Sequence, residues 1–443
     1  MRHALRWCRL LLLLAASACS TPPSPQEQPD AGPDPVSAWV RETALPLSGV
    51  EAGQGFADLA PLAPQLSGAR VVALGEATHG TREFFQLKHR LLEYLVLEQG
   101  FTAFAIEANF GEALAVDDYV VHGKGSAAAA LAGLYFWTWN TEEVLALIEW
   151  MRAYNQDPAH ARKLHFYGVD MQYSAASASA LQAYLEQVDP DALEEVRGWL
   201  TPLERQYPWV SVDASGRQAE AAALVAPVDA LEQRLVERRA SYVATAGEQA
   251  YLWATRHARV LAQFLALTRR DDAEAVVLRD QAMAENALWL LEQEGPQGRM
   301  VLWAHNFHVS RGSRGYHPMG WYLDDALGEQ LSVYGFAFSE GSFRARLPAE
   351  QGSALAVHTV AATPSATLDA KLASAGVPLF ALNLRALPSE GPVHDFFYDT
   401  LYTREVGAVF SELLPLQSVR PAAAYDGLLF VHTSHAAQAV SGP

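Results

Sequence analysis

Along the chain, short apolar runs alternate with segments whose apolar positions recur every three or four residues. The runs predict strands at 70–75, 102–107, 163–169, 299–304, 331–338, 378–384 and 427–432. The first four are apolar almost throughout, the pattern of strands covered on both faces. Between them, residues 83–99 place Phe84, Leu87, Leu91 and Leu95 on one helical stripe, and Gly100 supplies the stop. This alternation predicts an α/β fold with a mainly parallel central sheet flanked by helices.

One stretch breaks the alternation. From 189 to 294 the pattern is helical, with Leu200, Leu203, Leu231, Leu235, Leu261 and Phe264 set among Glu, Arg and Gln. It predicts an inserted all-helical subdomain that divides the α/β core into 37–188 and 295–443. A cleft between two such parts is a common place for a small-molecule site.

The first 36 residues follow different rules. Arg2, Arg6 and Arg9 precede a short apolar run that ends in Ala16-Ser17-Ala18 before Cys19. A basic start, a short apolar stretch and small residues at the end predict a signal peptide over 1–18. Cleavage after Ala18 gives a soluble protein. Lipidation of Cys19 gives an anchored one, and this is the favoured reading, although Ala16 stands where a lipobox usually has Leu. Residues 19–36, with six prolines from Pro22 to Pro35, read as a stiff tether. Export to the cell envelope follows, with membrane contact only through a lipid on Cys19. The only cysteines are Cys8 and Cys19, so the mature body has no disulfide, thiolate nucleophile or Cys-ligated metal.

The formal net charge of −18 among 443 residues repels phosphate backbones, which disfavours nucleic acid and leaves a small molecule as the expected partner. The chemistry must come from His, carboxylates, hydroxyls or cations. Three apolar runs end in such groups: Gly75-Glu76-Ala77-Thr78-His79-Gly80, then Ile106-Glu107, then Ala304-His305-Asn306-Phe307-His308. In open α/β sheets ligands gather at the carboxyl ends of strands. If the three strands are neighbours, Glu76, His79, Glu107, His305 and His308 converge at one edge.

Two uses compete for that cluster. Imidazoles held by carboxylates make a base for water near neutral pH. The same groups suit a divalent metal, with His305 and His308 at i, i+3, although no HExxH is present. A third reading is a cell-envelope lipoprotein that captures a small ligand without turning it over. There is no G-x-S-x-G elbow and no Walker loop, Gly123-Lys124-Gly125-Ser126 having the wrong spacing, and Gly53-Gln54-Gly55 is not flanked as a dinucleotide motif. Arg279 and Lys88 are the candidates for binding substrate or a developing oxyanion. The aromatics of 135–139, and Trp321-Tyr322, suit either a pocket wall or the core.

Taken in order, GEATHG at 75–80, Ala105-Ile106-Glu107, Gly168-Val169-Asp170-Met171-Gln172, Arg279-Asp280-Gln281-Ala282-Met283 and Ala304-His305-Asn306-Phe307-His308 resemble the signature segments of the erythromycin-esterase family. The resemblance runs from about 37 to 432. It implies an α/β core with a helical insertion, a cleft between them, and cofactor-free hydrolysis of a macrolide lactone by activated water in the antibiotic-resistance members. It also implies His79 as general base, Glu76 and Glu107 as its orienting acids, His305 and His308 at the water or carbonyl, and Arg279 at the oxyanion. The resemblance implies an arginine where this chain has Lys88, which keeps the charge but lacks the planar fork.

Overall fold

Val71 to Leu74 form a strand in which every residue is buried, and their side chains divide by parity between two cores. Val72 and Leu74 join Phe104, Ile106, Val301 and Trp303 on one face. Val71 and Ala73 join Ala103, Ala105, Met300 and Leu302 on the other. Two-sided burial is why these runs are apolar without alternation.

The computed structural model describes residues 34–204, 214–270, 273–313, 315–413 and 415–440. The predicted signal peptide, Cys19 and the tether as far as 33 lie outside the described residues. The tether's last three residues do not: after Asp34, Pro35 opens the helix Pro35–Thr43, and Val36 is buried in the core. Proline suits that first position, where its missing N–H would have no partner anyway.

The strands are β1 (Leu45–Pro46), β2 (Val71–Leu74), β3 (Ala103–Asn109), β4 (His165–Asp170), β5 (Met300–Trp303), β6 (Leu331–Arg346), β7 (Leu355–Val360), β8 (Leu379–Asn383), β9 (Leu401–Thr403), β10 (Gln417–Val419) and β11 (Gly427–Ser434). All seven predicted runs are strands. The large sheet has the order β1-β8-β11-β6-β2-β5-β3-β4, with β7 paired to β6, while β9 and β10 form a separate pair. From β11 through β4 neighbouring strands are parallel. The antiparallel pairings of this sheet lie at β8, β1 and β7.

Helix Arg82–Gln99 packs on the first face through Phe84, Phe85, Leu87, Leu91, Leu92 and Leu95. It stops at Gly100, whose φ of 73° lies in the left-handed region that glycine enters without a Cβ penalty. Helix Ala273–Gln293 covers the opposite face through Met283, Ala287, Leu290 and Leu291. Each fully buried Leu or Phe on these faces contributes roughly 1.5–3 kcal/mol.

Between β4 and β5 the described residues form helices joined by short turns, with no strand among them. Helices Ala175–Val188, Pro190–Leu203, Ala214–Glu237, Arg239–Ala246 and Glu248–Thr268 share a third core that includes Leu181, Leu200, Leu231, Leu235 and Leu261. Helical structure therefore starts at Ala175, ahead of 189. Asp189 caps the second of these helices, its carboxylate accepting from the Ala192 N–H. Residues 35–443 make one compact unit.

Register sets the working edge. Leu74 and Ile106 both pair with Trp303, so the chain leaves β2 and β5 at the level where β3 reaches Glu107. Strand β3 continues beyond the predicted end to Asn109, and its register against β4 shifts between Ile106 and Asn109. Glu107 lies in that irregularity, the kind of local twist that re-aims a side chain.

Candidate active site

The turn after β2 carries Glu76, wholly buried, and His79, which keeps a little exposed surface. Gly75 is required there: a Cβ would lie 2.2 Å from the Asn306 side-chain oxygen. Asn306 accepts from the Phe336 N–H and donates to the Phe336 carbonyl, tying the 305–308 turn to β6. The two histidine-bearing turns are joined directly by the main chain, the Asn306 N–H donating to the Glu76 carbonyl at 2.9 Å.

Glu76 is wholly buried and fully engaged. One oxygen accepts from His79 Nδ1 at 2.6 Å. The other accepts from Lys88 Nζ and from Trp303 Nε1, both at 2.6 Å. Burial alone would raise its pKa, but the Lys88 charge and the His79 bond outweigh it and hold the group below the usual carboxylate range. Burial pulls Lys88 down to about 8 against the pull of Glu76. The 2.6 Å contact leaves the pair charged at neutral pH. Lys88 also sits over the Trp303 ring, 4.1 Å from its centroid.

With Nδ1–H committed to Glu76, His79 presents Nε2 as a lone pair, and no protein group bonds that atom among the described residues. The His79 and His305 rings lie 5.0 Å apart, and Trp139 packs edge-on against His79. His305 is spoken for by the main chain: its Nδ1 accepts from the Phe307 N–H, and its Nε2–H donates to the Val406 carbonyl. Burial pushes its pKa down to about 4, so it stays neutral.

Glu107 joins the other half of the site. One oxygen accepts from the His305 N–H at 2.9 Å; the other accepts from Arg279 Nη2 at 2.7 Å and lies 3.3 Å from His308 Nε2. Burial opposes ionisation, but His308 and Arg279 overcome it and hold the carboxyl far below its ordinary value. Arg279 also grips Asp170 through Nε and Nη2, at 3.0 and 2.7 Å. His308 Nδ1–H donates to Asp280 at 2.7 Å.

A cleft of about 680 Å³ opens above these groups. His79, Glu107, Arg279, His305 and His308 line it, with Phe136, Trp137 and Trp139 on one wall and Gly407, Gln417 and Ser418 on another. All five cluster residues therefore come together as predicted, although Glu76 supports the cleft from below. Lys88 does not face it. The expectation that Lys88 binds substrate or an oxyanion is corrected: it lies on the buried stripe of its helix, beneath Glu76, with no exposed surface. Trp321 and Tyr322 pack against His317 and are not among the lining residues. The cleft also differs from one between two domains. Among the described residues its lining takes only Val276 and Arg279, from helix Ala273–Gln293, out of the helical stretch; Gln172 comes from the turn after β4. Among the described residues no three His, Cys, Asp or Glu side chains are gathered to hold a metal ion. The ring nitrogens of His305 and His308 turn to different partners rather than to one point.

Residues 96–434 match the Erythromycin esterase family. The chain belongs to that family. The matched span holds Glu107, Asp170, Arg279, Asp280, His305 and His308, while Glu76, His79 and Lys88 precede it. Family membership makes the chain a hydrolase. The erythromycin esterase type II of Escherichia coli is 24% identical over 340 residues, covering 70% of this chain and 78% of that one. The putative hydrolase YbfO of Bacillus subtilis (strain 168) is 24% identical over 336 residues, covering 69% and 72%. A Bacillus cereus protein of known crystal structure superposes with a TM-score of 0.82 at 24% identity, covering 92% of this chain and 98% of that one. A histidine-to-asparagine mutant of the erythromycin esterase EreC, in its open conformation, superposes at 0.67 with 17% identity, covering 86% and 94%. These likenesses establish the α/β fold of the erythromycin esterases.

Four site residues had no role assigned from sequence. Asp170 ends β4 as Glu107 ends the regular part of β3, so the same rule, an acid at the end of an apolar strand, points to it. Asp280 follows Arg279 in a segment already singled out. Glu405 lines the cleft from the turn after β9, with no distinguishing pattern around it. Trp303 carries no sequence signal, since its indole lies inside an apolar strand and only the fold brings Nε1 to Glu76.

Proposed function

We propose that this erythromycin-esterase-family hydrolase cleaves a carboxylic ester or lactone by direct attack of water. His79 Nε2 takes a proton from that water as its oxygen attacks the carbonyl carbon. Glu76 holds the opposite nitrogen, fixing the tautomer and steadying the imidazolium that forms. Lys88 and Trp303 keep Glu76 ionised and in place. The edge of Arg279 exposed to the cleft faces the developing oxyanion, with its remaining donors anchored on Asp170 and Glu107.

The observation that carries this reading is the 2.6 Å contact between His79 Nδ1 and Glu76, with the other ring nitrogen at the cleft. Among the described residues no serine or threonine hydrogen-bonds His79 as a nucleophile–base pair, which supports water as the reactant. The aromatic wall of Phe136, Trp137 and Trp139 suits a bulky apolar substrate, and the names of the relatives make a macrolide lactone the first to try. Export, with Cys19 as lipid anchor, would place this activity in the cell envelope.

The test is incubation of purified protein with erythromycin and a panel of simple esters, read by mass spectrometry. Addition of one water to the macrolide, or cleavage of an ester, supports the reading. No turnover of any member, with a small molecule retained through purification, would favour a binding protein instead.

A further inference from the structure

We propose that His308 is the general acid of this reaction, protonating the leaving-group oxygen through Nε2, and that Asp280 is the positioning residue that equips it to do so. The inference rests on the hydrolytic reading above.

The three imidazoles of the cleft differ in what holds them. His305 has one proton and two main-chain partners, so it has none to give. His79 has its Nδ1–H on Glu76 and an open Nε2, the arrangement of a base. His308 alone has a carboxylate at each edge: Asp280 2.7 Å from Nδ1, and Glu107 3.3 Å from Nε2. Burial disfavours its charge, yet Asp280 and Glu107 overcome that cost and push it up to about 10. Asp280 is wholly buried and is itself fixed, since the same oxygen accepts from the Met319 N–H at 2.8 Å. Its other oxygen has no hydrogen-bond partner among the described residues. Asp280 is thus spent on orienting His308.

Arg279 Nη1 lies 3.1 Å from His308 Nε2. Two N–H donors cannot bond each other, so this pair becomes a hydrogen bond only once His308 has released its Nε2 proton. In the loaded state His308 Nε2–H points at Glu107 or at a leaving group. As the tetrahedral intermediate collapses, the carbon–oxygen bond breaks and its electron pair goes to the leaving oxygen. That oxygen takes the Nε2 proton, and the freed lone pair then accepts from Arg279 Nη1. Solvent removes the proton that His79 took from water and returns one to His308. The sum is ester plus water giving acid plus alcohol, with every proton accounted for.

Leaving groups distinguish acid catalysis from a structural role. An alkoxide needs a proton to depart, whereas 4-nitrophenolate does not. The experiment compares an alkyl ester and a 4-nitrophenyl ester of the same acyl group. His308→Gln and Asp280→Asn should each lower kcat on the alkyl ester by roughly 10²–10⁴-fold, and at least tenfold less on the nitrophenyl ester. His79→Ala should abolish both, and Asp280→Glu should recover part of the alkyl-ester rate. Equal losses on the two esters in His308→Gln and Asp280→Asn overturn the assignment. A second measurement needs no variant: nitrogen-15 NMR of histidine-labelled wild-type protein at pH 7 should show His308 carrying two protons and His305 one. A singly protonated His308 overturns the proposal. If the wild type cleaves neither ester and no macrolide, the hydrolytic reading itself has failed, and this inference falls with it.

Discussion

Lys88 donates to Glu76 at 2.6 Å, with neither side chain exposed to solvent. A positive charge therefore stands directly beneath the carboxylate that holds His79. Removing one member of such a buried pair strands the other, which typically costs about 3–5 kcal/mol. Lys88→Met should lower the free energy of unfolding by an amount in that range, measured by urea denaturation. Adding Glu76→Gln should recover part of it. A single Lys88→Met variant as stable as the wild type would show that the pair is not charged.

Activity should register the same lysine. Burial brings Lys88 down to about 8, so above that pH Glu76 loses its cationic partner and its hold on the His79 tautomer weakens. The value of kcat/KM is expected to fall on the alkaline side with a midpoint near this pH. In Lys88→Arg the guanidinium keeps its charge, and the decline should move upward. An alkaline limb unchanged by that substitution would separate Lys88 from catalysis.

Acid should destabilise the protein through three buried histidines. Burial holds His89, His257 and His305 near 4, below their ordinary 6.5. Unfolding frees each to bind a proton at its ordinary value, so the unfolded chain binds more protons between those limits. Their stabilising effect is complete above 6.5 and is lost as pH falls through 4. Thermal midpoints should decline across that window, and calorimetry in buffers of different ionisation enthalpy should detect a net uptake of about two protons on unfolding near pH 5: the three histidines each gain one, while Asp369, which burial raises to about 7, gives one up. A flat midpoint across the window would contradict the assigned charge states.

Gly75 offers a steric test. Gly75→Ala places a methyl carbon 2.2 Å from the Asn306 oxygen, and that amide is pinned by two bonds to Phe336. Either Asn306 leaves β6 or the turn carrying Glu76 moves. Stability should fall by about 1–3 kcal/mol, as for other overpacked buried sites, and hydrolysis should fall with it. An active, equally stable variant would mean that the two turns are not locked as described.

The sequence made the centre of the fold legible because β2, β3, β4 and β5 are covered on both faces and therefore read as unbroken apolar runs. Strands β7, β9 and β10 escaped because they lie at edges. Exposed Val357 and Tyr402 give no sustained pattern, and Gln417 and Ser418 look like loop. The five clustered residues were legible for a related reason: an acid or histidine that ends an apolar strand stands out. Lys88 was misplaced because composition cannot show which side of a helix carries a charge inward. It lies four residues after Phe84, on the covered face, and only the position of Glu76 explains it.

The most direct test of the account compares wild-type protein with His79→Ala on one ester that the wild type cleaves, at pH 7 and with folding checked by circular dichroism. The expected result is a folded variant whose kcat falls by roughly 10²–10⁴-fold or more, because among the described residues that line the cleft His79 is the one imidazole with an unbonded nitrogen. A folded His79→Ala protein that cleaves the ester at the wild-type rate would contradict it.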